Sequence, residues 1–247
     1  LTVSCATERF CVIDDFLELA EFTTLISALE FLPYTDIHSG GWTKAFGAPT
    51  GPILRSELVI RGLREQTPDG MEAVGKFVEK VLAPDQASLS KYPFELEADR
   101  MALTGHAVLF GVNAGLNWHY DSGSLAGAYT YYAHPRWNTS WGGDLLLLRE
   151  AGAGPSEHQD RGGRASSQTP VPTDVPMGER GPVLHLQDPA ERRRMESGMG
   201  MFISARPNRL VLLSGDVEHT VTPVQWTAGG AMRATVTGFF HRPAQQL

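Results

Sequence analysis

Asn117-Trp118-His119-Tyr120-Asp121 stands between an apolar run, Val108-Leu109-Phe110-Gly111-Val112, and a turn, Ser122-Gly123-Ser124. Apolar runs that stop at Gly and Ser clusters read as buried strands. On an extended strand His119 and Asp121 are two apart, so both side chains leave one face and can converge on one metal ion. A third ligand comes from His219, in Val217-Glu218-His219-Thr220-Val221, on what reads as another strand. Two imidazoles and one carboxylate, with coordination positions left open, suit a non-haem Fe(II) centre that activates O2.

The triplet alone is weak. Eight His, each followed two places on by one of 28 acidic residues in 247, give about one such match by chance. A second match exists, His158-Gln159-Asp160, in a Gly/Ser/Pro-rich segment without strand pattern, and it is set aside. The weight falls on what accompanies His119.

The chain has 247 residues, 42% of them hydrophobic, and 26 Gly, enough for one large core of mainly β type over 1–247. A net charge of −7 argues against nucleic acid or an anionic membrane as partner, because either needs a basic surface. The acidic balance leaves room for a cationic substrate. There is no run of 18 apolar residues and no secretory pattern at Leu1-Thr2-Val3-Ser4-Cys5, so a cytoplasmic protein is expected. Cys5 and Cys11 are too few for a disulfide framework or a zinc site. The oligomeric state leaves no trace in the sequence.

Residues 1–100 read as a helical and loop support. A β-like run at 9–13 precedes Asp14-Asp15, expected to cap a helix over Leu17 to Leu29, and Thr67-Pro68 is expected to open a second helix that ends before Pro84. From Ala102 the pattern changes to short strands at about 102–112, 117–121, 127–133, 143–149, 183–187, 200–204, 209–214, 219–226 and 233–240. Eight or nine short strands after two helices predict a mainly β architecture with flanking helices, a double-stranded β-helix or jelly roll with its core over 101–241. The interval 151–182 is rich in Gly and Pro and cannot bury enough surface to fold alone; it is an insertion or a lid.

Arg233 lies fourteen residues past His219, in Met232-Arg233-Ala234-Thr235-Val236. On a strand Arg233 and Thr235 share one face, where a guanidinium and a hydroxyl can clamp the far end of a dicarboxylate. An edge-strand surface Arg is the plain alternative. Trp42, Arg55, Trp118, Ser122 and Ser124 flank the metal motif or sit in the aromatic loop before it, and are candidates for lining a substrate pocket.

Five ordered pieces now stand together. They are His119 and Asp121; Tyr132-Ala133-His134-Pro135-Arg136-Trp137 leading to Trp141-Gly142-Gly143-Asp144-Leu145; Pro207-Asn208-Arg209-Leu210-Val211-Leu212-Leu213; His219-Thr220-Val221-Thr222-Pro223-Val224; and Arg233-Ala234-Thr235 running into Gly238-Phe239-Phe240. This series resembles the 2-oxoglutarate and Fe(II)-dependent dioxygenases of the prolyl 4-hydroxylase-like branch. The resemblance spans 108–241; the first hundred residues share only the opening Val12-Ile13-Asp14-Asp15-Phe16-Leu17.

The resemblance implies Fe(II), 2-oxoglutarate and O2 as cofactors, with His119, Asp121 and His219 as iron ligands. It implies Arg233 as partner of the 2-oxoglutarate C5 carboxylate, Tyr132 or Thr235 as hydroxyl donors to it, and Trp141, Gly142 and Gly143 as structural. Related halogenases carry Ala or Gly where Asp121 stands, so the resemblance favours hydroxylation or another oxidative outcome, such as ring closure. The long interval 151–182 and the spacing to Arg233 depart from the family pattern and bear on the substrate. The expected substrate is a small molecule, such as a natural-product intermediate of secondary metabolism. Hydroxylation of prolyl or other peptidyl residues is the alternative within the class. A non-catalytic metal- or sugar-binding jelly roll is the alternative outside it. A zinc hydrolase is disfavoured because no second acid or base accompanies the ligands.

Overall fold

Leu210-Val211-Leu212-Leu213 is buried at every position, because each face of its strand meets a different apolar layer. Leu210 and Leu212 face two helices, whereas Val211 and Leu213 face a second sheet. Burial on both faces gives strands here near-continuous apolar runs in place of clean alternation. The computed structural model describes residues 1–37, 51–62, 65–83, 91–96, 100–121, 125–148, 194 and 197–242.

Among the described residues the large sheet has nine strands: β1 (Thr2–Ala6), β2 (Phe10–Asp14), β3 (Thr35–Asp36), β4 (Ile53–Arg55), β5 (Val59–Gly62), β6 (Ala102–Phe110), β8 (Leu125–Tyr132), β11 (Arg209–Ser214) and β13 (Arg233–His241). Their order is β1-β2-β11-β8-β13-β6-β4-β3, and β5 pairs with the other half of β6. The small sheet runs β10 (Gly200–Ile203), β9 (Leu145–Leu148), β12 (His219–Val221), β7 (Leu116–His119). The paired strands are antiparallel, and the two sheets face each other through Tyr132, Val211 and Leu213 on one side and Leu145, Leu147, Val217 and Val221 on the other. This is the mainly β jelly roll that the strand pattern predicts.

Helices α1 (Leu19–Leu29) and α2 (Glu72–Leu82) cover the outer face of the large sheet. Leu25 and Leu29 from α1 and Val74, Phe77, Val78 and Val81 from α2 join Ile13, Leu103, Tyr129, Tyr131 and Val236 in one core. Lys80 reaches Glu21 at 2.6 Å and ties the two helices.

Both helix starts differ from expectation. Asp14 does not cap α1: it ends β2, buried, and bonds the Arg209 guanidinium at 2.7 and 3.0 Å. The cap falls at Glu18, whose backbone N–H donates to the Glu21 carboxylate at 3.0 Å. In α2 the turn that begins at Pro68 closes at once, with Met71 N–H on Pro68 O, and Gly70 at φ +79° interrupts helical geometry. The helix begins only beyond it.

The first hundred residues also give more than support, since five of the nine strands of the large sheet come from them. β12 stops at Val221, short of the expected 226, because Pro223 brings no N–H to the ladder. The expected strand at 183–187 and the interval 151–182 lie outside the described residues. The chain divides into two compact units, one of Leu1–Leu147 with Phe202–Leu247, the other Leu148–Met201. Most of the second lies outside the described residues; within it Gly198 N–H donates to Arg194 O at 3.4 Å.

Candidate metal centre

β7 and β12 pair so that His119 stands opposite His219, their ring centroids 4.3 Å apart. The register steps from His119 to Leu116 while its partner steps only from His219 to Val221. That bulge in β7 lets both Leu116 and His119 face the interior of the sandwich. A backbone carbonyl two residues back holds each imidazole: His119 Nδ1 lies 2.6 Å from Asn117 O, and His219 Nδ1 lies 2.9 Å from Val217 O. A carbonyl only accepts, so Nδ1 carries the proton of the neutral ring and Nε2 keeps its lone pair for a metal.

The strand ends at His119, so Asp121 is not placed by the ladder that the sequence suggests. Its carboxylate nonetheless turns back, with Oδ2 4.0 Å from His219 Nε2. One ligand atom from each of the three residues lies within 4.8 Å of the others. Donors about 2.1 Å from one ion stand about 3 Å apart at right angles, so modest side-chain rotation closes the set. Two neutral nitrogens and one carboxylate fit a divalent transition metal that keeps open positions.

Arg233 begins β13, opposite Phe110 on β6, and is only 2% exposed. Its guanidinium carbon lies 4.9 Å from the Phe110 ring centroid and 5.0 Å from that of Tyr132. No acid comes within ion-pair distance among the described residues, and Nε is buried without a hydrogen-bond partner. The Tyr132 hydroxyl is likewise buried without a partner. Burial pushes its pKa up, with Arg233 pulling it down in part, so the phenol stays a donor. A buried cation and a buried phenol that lack acceptors are the complement of a carboxylate. Thr235 shares the face, fully buried, but its hydroxyl donates to Val108 O at 3.3 Å. The free donor is therefore Tyr132.

Three residues hold this corner in ways the sequence does not display. Gly143 has φ +71°, and a Cβ there would come within 2.6 Å of Arg233 Cδ, so its missing side chain makes room for the guanidinium stem. His134 packs on Trp137, centroids 4.7 Å apart, and donates from Nε2 to Ala205 O at 2.9 Å. Burial lowers it to about 4, the charge of Arg233 adding to this, so the ring stays neutral beside the guanidinium. Asp144 accepts from Ala205 N–H at 3.0 Å, and burial raises its pKa. His134 and Asp144 stand in the quoted pieces of sequence; only the folded register shows what they touch.

Of the substrate candidates, Trp118 is half-buried on β7 beside His119, and Arg55 lies on β4 opposite Val108. Trp42, Ser122 and Ser124 fall outside the described residues.

No family model matches the chain, and no curated protein matches it in sequence. Solved structures do match in fold. A prolyl-4-hydroxylase from Pseudomonas putida is similar at TM-score 0.54 and 15% identity, over 96% of this chain and 94% of that one. A 2OG-Fe(II) oxygenase family oxidoreductase from Burkholderia pseudomallei is similar at TM-score 0.52 and 11% identity, over 96% and 88%. HygX from Streptomyces hygroscopicus, solved with nickel and 2-oxoglutarate, is similar at TM-score 0.52 and 13% identity, over 95% and 83%. The chain thus has the jelly-roll fold of the 2-oxoglutarate oxygenases. Among the described residues no helix is long and apolar enough to cross a membrane.

Proposed function

We propose that this protein is a non-haem Fe(II) and 2-oxoglutarate-dependent oxygenase that hydroxylates or oxidatively cyclises a small molecule, with His119, Asp121 and His219 holding the iron. The observation that carries the proposal is the convergence of those three donors, within 4.8 Å of one another, in a sandwich whose interior also holds an unpaired guanidinium. A metal- or sugar-binding jelly roll without catalysis leaves Arg233 and Tyr132 with no task.

Bound there, iron with 2-oxoglutarate and O2 would supply the oxidation of a C–H bond, one oxygen atom going to succinate as CO2 is lost and the other to the substrate in hydroxylation, or to water in ring closure. The chain's own residues position and exclude water. His119 and His219 present Nε2 because backbone carbonyls hold their Nδ1 protons. Arg233 and the Tyr132 hydroxyl take the distal carboxylate of 2-oxoglutarate, in the corner that Phe110 and Trp137 wall off from water. No side chain is required to act as general base.

A natural-product substrate draws support from HygX, solved with hygromycin B bound. A peptidyl substrate, the alternative, has its counterpart in the Pseudomonas prolyl-4-hydroxylase. The compact chain carries no peptide-binding module visible in its sequence, which favours the small molecule. A cytoplasmic location is part of the proposal and rests on two free cysteines, Cys5 and Cys11. The test is succinate formation from 2-oxoglutarate in anaerobically reconstituted protein exposed to O2. Release that requires Fe(II) and disappears in His119→Ala and Asp121→Ala is expected; undiminished release in either variant overturns the ligand assignment.

A further inference from the structure

The inner face of the large sheet changes character along its strands. At the Arg233 end it is apolar: Ile53, Val108 and Phe110 pack against Ala114, Leu116 and Val224. One step further the ladder carries Thr130, Thr237 and His106 side by side. The two threonine hydroxyls are 3.4 Å apart. Arg55 borders this row from β4. It lies opposite Val108 and two residues from Ile53, so it points into the sandwich with them, and its charge bears on His106.

Thr237 donates its hydroxyl to Tyr129 O at 2.8 Å, but His106 Nε2 and Arg55 lack partners of their own among the described residues. His106 is 8% exposed, and its Nε2 is buried without a hydrogen bond. Arg55 is half-buried and makes no ion pair or hydrogen bond among the described residues. The nearest acid along the neighbouring strand, Asp36, lies opposite Leu54 and so projects from the other face. An unpaired guanidinium beside an unsatisfied imidazole on an interior face calls for an anion.

The row lies on the face of the large sheet against which β7, the strand that carries His119, packs through Leu116. β6 leads through Gly111–Gly115 into β7 of the facing sheet, where Leu116 packs in the cluster of Val108 and Phe110. His119 follows Leu116 by three residues, about 10 Å of strand at most. Arg55 stands on the Val108–Thr235 level, two strands across and two residues along from Arg233, about 12 Å between their backbones.

We infer that Arg55, with His106 beside it, forms the subsite that takes a carboxylate of the substrate; this rests on the oxygenase reading and names its substrate class. The substrate is then an anionic small molecule, in place of the cationic one that the overall charge of −7 leaves room for. Burial lowers His106 to about 4, with the Arg55 charge second, so its ring is neutral and acts as a hydrogen-bonding wall.

The test uses the protein loaded with Mn(II) and saturating 2-oxoglutarate without O2, and two probes, hexanoate and hexanamide. Paramagnetic relaxation of the probe's methyl signal reports weak binding near the metal. Hexanoate is expected to relax, and hexanamide is not. Arg55→Gln should weaken the hexanoate effect by about tenfold to a hundredfold, the range of a lost charge-assisted hydrogen bond. Arg55→Lys should keep part of it, and both variants should retain the wild-type affinity for 2-oxoglutarate. Equal relaxation of the two probes, no relaxation of either, an Arg55→Gln response equal to wild type, or loss of 2-oxoglutarate affinity in that variant overturns the inference alone. Failure of the wild-type protein to bind metal and 2-oxoglutarate overturns the oxygenase reading and this inference with it.

Discussion

Arg233→Met should move two quantities in opposite directions. Arg233 is 2% exposed, has no acid within ion-pair distance among the described residues, and leaves Nε without a partner. The ring faces of Phe110 and Tyr132, at 4.9 and 5.0 Å, return about 1–2 kcal/mol each. Removing the charge from water costs several kcal/mol, so without ligand the cation is a net burden. Met is similar in length and apolar, so the ligand-free variant should gain about 1–2 kcal/mol. For a chain of this size that raises Tm by about 2–8 °C. Binding of 2-oxoglutarate should suffer in the opposite sense. Two charge-assisted hydrogen bonds of about 1.5–3 kcal/mol each are lost, a weakening of about a hundredfold to ten-thousandfold. At a 2-oxoglutarate concentration a hundred times the wild-type Kd the wild type gains about 2.7 kcal/mol, or about 5–11 °C, and the variant at most about 0.4 kcal/mol, or about 1–2 °C. Thermal melts with and without Mn(II) and 2-oxoglutarate read both effects. A ligand-free variant less stable than wild type that still shifts with 2-oxoglutarate would refute the reasoning and make the guanidinium a structural group.

Tyr132→Phe removes a buried hydroxyl that has no partner, so ligand-free stability should hold or rise by up to about 1 kcal/mol while 2-oxoglutarate binds about fivefold to twentyfold more weakly; calorimetry and melts on one preparation check it. Gly143→Ala places a Cβ 2.6 Å from Arg233 Cδ at φ +71°, so it should lower both stability and 2-oxoglutarate affinity, the latter read by the same titration. Asp14 carries a pH prediction. Burial pushes its carboxyl up, but hydrogen bonds from Arg209 and Ser4 outweigh this and hold it below the ordinary range. A depressed folded pKa contributes stability above the unfolded value near about 3.9 and loses it as pH falls through the folded one. Asp14→Asn should therefore cost about 2–4 kcal/mol at pH 7 and show a flatter stability profile below about pH 4, measured by urea unfolding across pH.

The strands of the jelly roll were legible because burial on two faces demands apolar runs, and those runs end at Gly, Pro and Asn. The helix starts were not, since Asp14 and Thr67-Pro68 are cap-like in isolation. The Arg209 guanidinium that claims Asp14 comes from almost two hundred residues away, and the break after Pro68 depends on the φ of Gly70. His119, Asp121 and His219 could be named from spacing and resemblance, yet the bulge that turns Leu116 and His119 to one side belongs to strand register. The same holds for Phe110 under Arg233, and for His106 beside Thr237. Cross-strand neighbours far apart in sequence leave no periodicity to read. Burial without a partner, which marks Tyr132, Arg233 and His106, is a property of the packed chain alone.

The central claim is that one metal and one dicarboxylate share this interior. Anaerobic calorimetry of 2-oxoglutarate into the protein, with and without Mn(II), tests it most directly. One site per chain is expected, tight with the metal and at least about tenfold weaker without it, and lost when Asp121 is replaced by Ala. Equal affinity with and without metal, or no binding at all, would contradict it.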